Sequence, residues 1–547
     1  MLKVVCTGVP MGALLILALI GWPVPTGGAQ SGAAAAGPAD LFTTSHTCMA
    51  CHNGLVTPSG EDVSIGSDWR GSMMANSARD PYWHAAVRRE IMDHPGSRAE
   101  IEDECSKCHM PMARYQASLS GELQGVFDHL PIGSGSQHRD LLAADGVSCA
   151  LCHQITEEGL GTEASLVGGF VIDAGDGDGE RPIYGPFEID ESRIRLMRSA
   201  TGFTQTEAAH IQESEFCATC HTLITHALGP DGEVIGELPE QVPYQEWLHS
   251  DYVGERSCQG CHMPVVEEAM PITSVLGEPR EGLSRHSFRG SNFFVLQMLQ
   301  RYRAELGVEA SSQELQLSVL NARQHLEDAS AEIVLVAERA GGRLEAWVSI
   351  ENLAGHKLPT AYPSRRVWIE LTVRDRDGEA VFSSGALDPT GAIRGNDNDA
   401  DPSQYELHYL EITSPDEVQI YESILVDASG GVTTGLLTGV GYIKDNRLLP
   451  AGFDKLTADA DIAVHGSAQT DADFAGGSDA VGYSVDLAGA QGPFEVEAVL
   501  WYQPISYRWA ENLRSYDAPE PRRFVGYYTS MAGASAVVLD RTSVTLE

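Results

Sequence analysis

Five copies of one short cysteine motif constrain this chain more than any other feature. Each copy has two cysteines separated by two residues and followed at once by a histidine; the copies begin at Cys48, Cys105, Cys149, Cys217 and Cys258. Ten of the 11 cysteines lie in these pairs. Disulfides and tetrahedral zinc also use paired cysteines, but neither requires a histidine after every second one.

Covalent attachment of haem c explains the complete motif, because two thiols bond to the porphyrin and the adjacent imidazole binds the iron from one side. The sequence therefore predicts five covalently attached haem c groups. The predicted tethers are Cys48, Cys51, Cys105, Cys108, Cys149, Cys152, Cys217, Cys220, Cys258 and Cys261. The predicted proximal iron ligands are His52, His109, His153, His221 and His262.

A second axial ligand is expected for each iron, and histidines outside the motifs outnumber the positions to be filled. The preferred distal ligands are His94, His138, His210, His226 and His286. Met74 and His356 are further candidates. A methionine opposite a histidine raises the haem potential relative to two histidines, and His356 would reach a haem across the domain interface. The alternates are His84, His129 and His249, while His46 lies close enough to Cys48 to be committed to that loop.

The chain carries 36 basic and 77 acidic residues, a net charge of −41. Such a surface repels nucleic acid and anionic lipid, and it suits either a solvated acidic exterior or basic partners. Residues 1–30 have Lys3 as their one charge and an apolar run from Met11 to Trp22, which predicts a secretory signal peptide. An uncleaved anchor is the alternative, and Cys6 would be discarded with the signal.

The five motifs occupy the 215 residues from Cys48 to His262, or 43 residues per haem. That is too little protein for separate pockets, so the haems are expected to pack together and form an electron path. The predicted division is a signal peptide (1–30), a pentahaem cytochrome domain (31–290), a helical connector (291–330) and a β-sandwich domain (331–547). The predicted fold class is α + β multidomain: a loop-rich, mostly α cytochrome domain followed by an all-β, immunoglobulin-like sandwich.

Local patterns support the second half of this division. Ser311 and Glu314 predict a capping box at the start of a helix that runs to about Leu326. Period-two alternation predicts hairpins that turn at Gly341–Gly342 and at Asp377–Gly378. Calcium is a further predicted cofactor, held by one of two acidic groups: Asp397, Asp399 and Asp401, or Asp471, Asp473 and Asp479.

The chain resembles multihaem c-type cytochromes in these motifs and in the stretches "GHKLPTAYPSRRVWIELTV" and "YIKDNRLLPAGFDK". Its haem region is similar to the tetrahaem electron carriers that serve hydroxylamine oxidoreductase and to their larger exported relatives. In those proteins a WxxSxHA stretch often supplies a distal histidine. Here Met74 stands at that place after Trp69 and Ser72, and Tyr252 stands there in a second match.

The resemblance and the motifs predict an exported cytochrome, periplasmic or on the outer surface, that passes electrons between redox partner proteins or within a larger complex or filament. No transmembrane segment is expected in the mature chain. The alternative is an oxidoreductase that acts on a small nitrogen or sulfur compound at one haem with an open sixth position. Pentahaem nitrite reductases use a lysine-terminated motif at that haem, whereas all five motifs here end in histidine. A third hypothesis is that the β-sandwich domain binds a surface or a polymer and that the haems conduct electrons to or from it.

Overall fold

Short helices and four sheets make up the part of the chain that the computed structural model describes, which is residues 40–174 and 181–547. The predicted signal peptide, Cys6 and most of the acidic "DAGDGDGE" stretch lie outside these residues. Helices and strands are both abundant, so the coarse prediction of an α + β protein is confirmed. Within the described residues, no helix is both long and apolar enough to cross a bilayer.

The first helices are short and carry or flank the motifs. They are α1 (Ser45–Met49), α2 (Ile65–Arg70), α3 (Pro81–Asp93), α4 (Arg98–His109), α5 (Pro111–Ser118), α6 (His138–Ala144), α7 (Cys149–Cys152), α8 (Glu191–Thr201), α9 (Ser214–His221), α10 (Pro243–Leu248) and α11 (Cys258–His262). The later helices are α12 (Phe293–Arg301), α13 (Ser312–Ala329), α14 (Asp397–Ala400), α15 (Tyr507–Asn512) and α16 (Pro519–Met531).

Local sequence explains where the two best-capped helices begin. The Asp80 carboxylate accepts hydrogen bonds from the backbone N–H groups of Tyr82 and Trp83, and Pro81 opens α3. Ser311 and Glu314 form the predicted capping box of α13, which extends three residues beyond the predicted Leu326. The capping-box prediction is therefore confirmed.

Two small sheets lie in the segment that carries the five motifs, called the haem region after the predicted cofactor, and two larger sheets follow it. The strands are β1 (Arg181–Gly185), β2 (Phe203–Glu207), β3 (Leu223–Leu228), β4 (Val234–Gln241), β5 (Ala331–Ala340), β6 (Arg343–Asn352), β7 (Arg366–Arg374), β8 (Ala380–Ser384), β9 (Glu411–Ile412), β10 (Ile420–Asp427), β11 (Val432–Thr433), β12 (Gly439–Asp445), β13 (Ser478–Asp486), β14 (Phe494–Gln503) and β15 (Val537–Leu546). The pairs β1–β2 and β3–β4 form the small sheets.

The larger sheets have the orders β5–β6–β13–β9 and β11–β10–β7–β14–β15, with β12 added to β10 and β8 added to β7. The hairpin β5–β6 turns at Gly341–Gly342 and β7–β8 turns at Asp377–Gly378, so both hairpin predictions are confirmed. Along β6 the side chains alternate between buried and exposed, and the buried set shares one apolar cluster with residues of β7 and β14. The immunoglobulin-like topology stays a prediction.

The haem region and the large sheets share contacts through α3 and the connector helices. Tyr82 of α3 belongs to the same apolar cluster as α12, α13 and the sheets. Arg88 donates to Glu520 of α16 at 2.8 Å and 3.2 Å. Residues 40–547 form one compact unit. The predicted boundaries at 290 and 330 remain predictions.

Candidate cofactor cavity

The two cysteines and the histidine of each motif lie on one side of a helical turn. Four motifs lie on or at the end of α4, α7, α9 and α11, and the first runs on from α1. Residues at i, i+3 and i+4 of a helix share one face, which is the spacing of the two thiols and the imidazole. All ten of these cysteines are free thiols, so the structure pairs none of them as a disulfide.

One cavity of about 1380 Å³ brings the five motifs together. Its lining includes all five motif histidines and every motif cysteine except Cys105, which packs against a neighbouring apolar cluster. Sites for a single small molecule usually measure about 300–1,000 Å³. The cavity is therefore large for one ligand and suits several bulky groups that share a core.

Neighbouring motifs touch through their thiols. Cys48 of the first motif lies within hydrogen-bonding reach of Cys149 of the third, Cys108 of the second reaches Cys220 of the fourth, and Cys217 of the fourth reaches Cys258 of the fifth. Cys152 lies close enough to the fourth motif to affect the pKa values of both its thiols. In space the motifs therefore connect in the order first, third and fourth, with the second and fifth both joined to the fourth.

Backbone carbonyls orient four of the five proximal histidines. The Nδ1–H group of His52 donates to Ile272 O at 2.8 Å, that of His109 to Ser77 O at 3.0 Å, and that of His153 to Tyr184 O at 2.6 Å. His262 donates in the same way to Arg289 O. These bonds fix the tautomer and leave each Nε2 lone pair free for a metal.

Burial keeps these imidazoles in the neutral form that binds metals. It is the largest cause lowering the pKa of His52, His109, His153 and His262, to about 4 for His109. The His221 side chain is exposed, and the surrounding protein lowers its pKa in the same direction. For His221, the nearby His262 and Arg365 lower the pKa further. A metal that binds these imidazoles near neutral pH would therefore not have to displace a proton from them.

Two further histidines face motif histidines at the separation of axial ligand pairs. The His286 and His153 ring centres are 6.3 Å apart with planes 22° from parallel, and those of His356 and His262 are 6.3 Å apart and 8° from parallel. An ion midway between two imidazoles, at about 2.0–2.1 Å from each nitrogen as zinc is in proteins, separates the ring centres by roughly 6.3 Å. Each pair therefore has the ring separation expected for two imidazoles that bind one metal ion between them.

The arginines of the cavity suit the propionate groups of haem. Five arginines line it, against the two carboxylates of Asp80 and Glu278. Arg193 pairs with Glu278 and Asp190, but within the described residues no ion pair is formed by the other four: Arg256, Arg280, Arg289 and Arg365. The Arg289 Nε is buried with no hydrogen-bond partner in the described chain. A buried unpaired cation is costly, and a carboxylate of a bound group would offset that cost.

The other predicted distal ligands lie elsewhere. His138 and His226 are exposed, within 4.0 Å of Asp40 and 3.7 Å of Glu237 respectively, and neither lines the cavity. His210 is buried and donates from Nε2 to Ile155 O at 2.9 Å. His94 follows α3, and its Nε2 is buried with no hydrogen-bond partner among the described residues. These four positions stay predictions without support from the geometry of the cavity.

The alternates have both ring nitrogens near other groups. His84 donates from Nε2 to Ala78 O and accepts at Nδ1 from Arg523; His129 lies between Asp140 and Gln124. His249 donates from Nδ1 to Gln245 O, and its Nε2 lies 3.8 Å from Asp459. His46 is exposed and lies 3.7 Å from Glu309.

Met74 and Tyr252, which stand where the family resemblance predicts a ligand histidine, both line the cavity. Met74 lies there beside Trp69 and Phe288. Tyr252 donates its hydroxyl to Leu353 O at 2.8 Å, so it anchors the loop that carries His356.

Sequence reasoning missed His325, which lines the cavity from α13. Its ring centre is 5.5 Å from that of His262, at 62°. Ser318, Ala322, His325 and Ala329 form one cavity-facing stripe of this helix. The available signal is a histidine at helical spacing with Ala322, but the same pattern also suits a connector helix with no ligand.

The two acidic groups proposed for calcium differ in arrangement. Asp399 pairs through both oxygens with Arg366 at 3.0 Å, and Asp401 accepts from Ser403, so the first group does not converge. Asp471 and Asp479 do approach each other, together with His408, in the one group of this kind among the described residues. Asp473 is exposed and lies beside Asp471.

Hydrogen bonds fix the proton position on His408. Its Nδ1 accepts from Gln419 Nε2 at 2.9 Å and from Asn446 Nδ2 at 3.0 Å. Both amides are held in that orientation, since Gln419 Oε1 accepts from Tyr409 N–H and Asn446 Oδ1 from Glu422 N–H. His408 therefore carries its proton on Nε2 and donates it to Asp471 at 2.9 Å. This cluster is a hydrogen-bonded network whose histidine has no free lone pair for a metal.

One solved structure has a similar fold along most of the chain. It is a penta-heme cytochrome c552 from Thermochromatium tepidum, with a TM-score of 0.51 and 17% sequence identity, over 92% of this chain and 99% of that one. No protein-family model matches the chain, and no curated protein matches it. At this identity the likeness shows a shared fold.

Proposed function

We propose that this chain is a pentahaem c-type cytochrome that transfers electrons between redox partners. The observation that carries the proposal is the single cavity lined by all five motif histidines. The similar fold of a penta-heme cytochrome supports it, because the match covers 92% of this chain. The finer resemblance to the carriers that serve hydroxylamine oxidoreductase remains part of the proposal.

The motif cysteines would hold haem c by thioether bonds, and the motif histidines would bind iron from one side. His286 and His356 are the proposed second ligands opposite His153 and His262, on the ring separations described above. When bound, haem c supplies one-electron redox chemistry, and groups this close together allow electrons to pass along the cavity.

The residues around the motifs have separate tasks. The carbonyls of Ile272, Ser77, Tyr184 and Arg289 hold the proximal rings in orientation. Trp83 stacks on His109 with ring centres 4.2 Å apart and planes 2° from parallel, which covers one face of that imidazole. The unpaired arginines are suited to the propionates.

Export and partners are proposed from sequence. The signal-like start and covalent haem suit a periplasmic or outer-surface protein, and the net charge of −41 suits partners with basic surfaces. Membership of a larger complex or filament is part of the same proposal. The calcium prediction stays with Asp471, Asp473 and Asp479, and thermal unfolding with added calcium or a chelator tests it.

The purified, exported protein should carry five haems. Intact mass spectrometry should show five haem additions, and a redox titration should show five one-electron equivalents per chain. A protein that gains no haem mass, or whose motif cysteines form disulfides, would overturn the proposal. Replacement of Cys258 and Cys261 by alanine should remove one haem, whereas Ser257→Ala is the matched control and should keep five.

One observation favours the oxidoreductase alternative. Within the described residues, no histidine ring faces His52, His109 or His221 at the separation found for the two pairs, and Arg365 lies close to His221. An open position beside a guanidinium would suit a small anion. Nitrite or hydroxylamine should then shift a high-spin signal in the electron paramagnetic resonance spectrum. An all-low-spin protein that binds neither compound would exclude this alternative.

A further inference from the structure

His356 reaches the cavity on a loop that belongs to the β-rich half of the chain. The loop lies between β6 and β7, whereas the motif histidine it faces, His262, ends α11. The Nδ1–H of His356 donates to Lys357 O at 2.9 Å, which leaves Nε2 for the metal. Asn352 Nδ2 donates to His356 O at 3.0 Å. This loop must be held against the haem region if His356 is to stay opposite His262.

A buried cluster of four charges lies directly behind the loop. Lys357 Nζ donates to Asp445 at 2.8 Å, Arg447 donates to both oxygens of Asp445 at 2.9 Å and 2.8 Å, and Arg447 Nη1 lies 2.9 Å from Glu246 Oε1. All four side chains are at most 6% exposed. Two cations and two anions balance, and buried charges are tolerated only when they are paired in this way.

Glu246 is the member of this cluster that comes from the haem region, since it lies on α10. Its Oε2 accepts from the backbone N–H of Lys357 at 3.1 Å and from the Thr360 hydroxyl. One carboxylate therefore binds the residue next to His356 and a second residue of the same loop. Arg447 and Asp445 fix that carboxylate and Lys357 in turn.

The loop has a second attachment on the same side. Tyr252 donates to Leu353 O, and an added Cβ at Gly355 would be 3.4 Å from the rings of Trp247 and Tyr252. These rings and Glu246 all belong to the segment from α10 to α11. The loop is thus fixed to the chain segment that leads into the fifth motif.

We propose that Glu246, acting with Thr360, Lys357, Asp445 and Arg447, is a positioning residue that holds His356 as the exchange-resistant sixth ligand opposite His262. This inference rests on the proposed haem ligation by His356. Its consequence is that the fifth haem has a sixth ligand which competing small molecules displace slowly, even though that ligand comes from the other half of the chain.

Carbon monoxide binding to the reduced holoprotein tests the inference. CO must displace a distal histidine, so its binding rate reports how firmly that ligand is held. His356→Ala should open one haem in five to rapid CO binding. Glu246→Ala should leave all five haems attached but speed CO binding at that same haem at least tenfold. Glu246→Gln should give a smaller increase, because its amide oxygen still accepts from Lys357 and Thr360 while the charge that balances Arg447 is lost.

Thr360→Val gives a milder test if Glu246→Ala does not fold. Losing one hydrogen bond should speed CO binding about fivefold, whereas Thr457→Val, in an exposed turn, should not change the rate. Unchanged CO binding in Thr360→Val and in any folded Glu246→Ala, with a clear effect of His356→Ala, would overturn the positioning role alone. No effect of His356→Ala would overturn the proposed ligation, and the positioning role with it.

Discussion

At the scale of single residues, what the sequence predicts depends on how local the chemistry is. Motif cysteines and proximal histidines are separated by three and four positions, so spacing alone brings them to one face of a turn. The proposed distal ligands come from remote segments, and no local pattern relates His286 to His153 or His356 to His262. Position relative to the motifs selects five preferred distal histidines; of these, His286 lies opposite a motif histidine, while His138 and His226 are exposed.

Replacing His286 should change the spin state or the CO binding of one haem. His286→Ala removes the imidazole opposite His153, so we expect one of the five haems to become high-spin or to bind CO. Electron paramagnetic resonance and CO difference spectra measure this change. His226→Ala is the matched control, because that side chain is exposed and paired with Glu237, and it should leave both spectra as in the wild type. Equal spectra for the two variants would contradict the assignment.

Asp479 should make stability depend on pH. Burial is the main cause that raises its pKa to about 7, above the ordinary value of 3.8. The folded protein then holds a proton that the unfolded chain has lost between about pH 4 and pH 7, so stability falls as pH rises through that window. Relative to Asp479→Asn, the wild type should lose about 1.4 kcal/mol of stability for each pH unit from 4 to 7.

Denaturant titrations of both proteins at several pH values measure this difference. Asp377→Asn, in the exposed turn between β7 and β8, is the matched control and should follow the wild type at each pH. A constant gap between wild type and Asp479→Asn across the window would contradict the raised pKa.

At the scale of elements, the sequence predicts the helix ends and hairpins whose signal lies in a few adjacent residues. The capping box of α13 and both hairpins follow from a few adjacent residues, and the structure confirms them. The parallel pair β1–β2 was not predicted, because the five residues of β1 show no clear alternation and α8 separates it from β2. The backbone carbonyl of Tyr184 in β1 accepts a hydrogen bond from His153. Contact with a motif histidine therefore holds this strand in place more than its own composition does.

Two glycines should respond in opposite directions to alanine. Gly341, in the β5–β6 turn, has φ +67°, where a Cβ is strained even though no atom lies within 4 Å of it. Gly526 lies inside α16 with open space around an added Cβ and no positive φ. Gly341→Ala should lower the free energy of unfolding by about 1 kcal/mol, and Gly526→Ala should raise it by about 0.5–1 kcal/mol.

Chemical denaturation of the two variants beside the wild type checks this pair. The space around both positions is open, so backbone conformation is the variable that differs. Two shifts of the same sign would contradict the conclusion that backbone conformation decides the effect at these two positions.

At the scale of the whole molecule, the sequence predicts two working halves but not how closely they are joined. An apolar cluster includes Tyr82 of the haem region together with both large sheets, and α3 packs on α16. Such contacts link residues hundreds of positions apart, and no periodicity or composition in either segment reports them. The same holds for His356, which lies on a loop of the β-rich half but faces His262 of the fifth motif.

The holoprotein should therefore unfold as one unit. Haem absorbance reports the motif region, and far-ultraviolet circular dichroism at strand wavelengths reports the sheets; their denaturation curves should coincide. Glu520→Gln weakens the half-buried contact with Arg88 and should move both midpoints down together. Two separated transitions, or a shift in one probe alone, would show that the halves unfold independently.

Thiol contacts join the fourth motif to the second and the fifth, and Cys152 of the third motif lies near it as well, while the first and second motifs have one neighbour each. In network terms the fourth motif is a hub, and its loss would divide the set into a pair and two isolated members. Loss of the second motif would leave the remaining four in one line. An inactivating lesion at Cys217 or Cys220 should therefore be far more damaging to throughput than one at Cys105, although the five motifs look alike in the sequence.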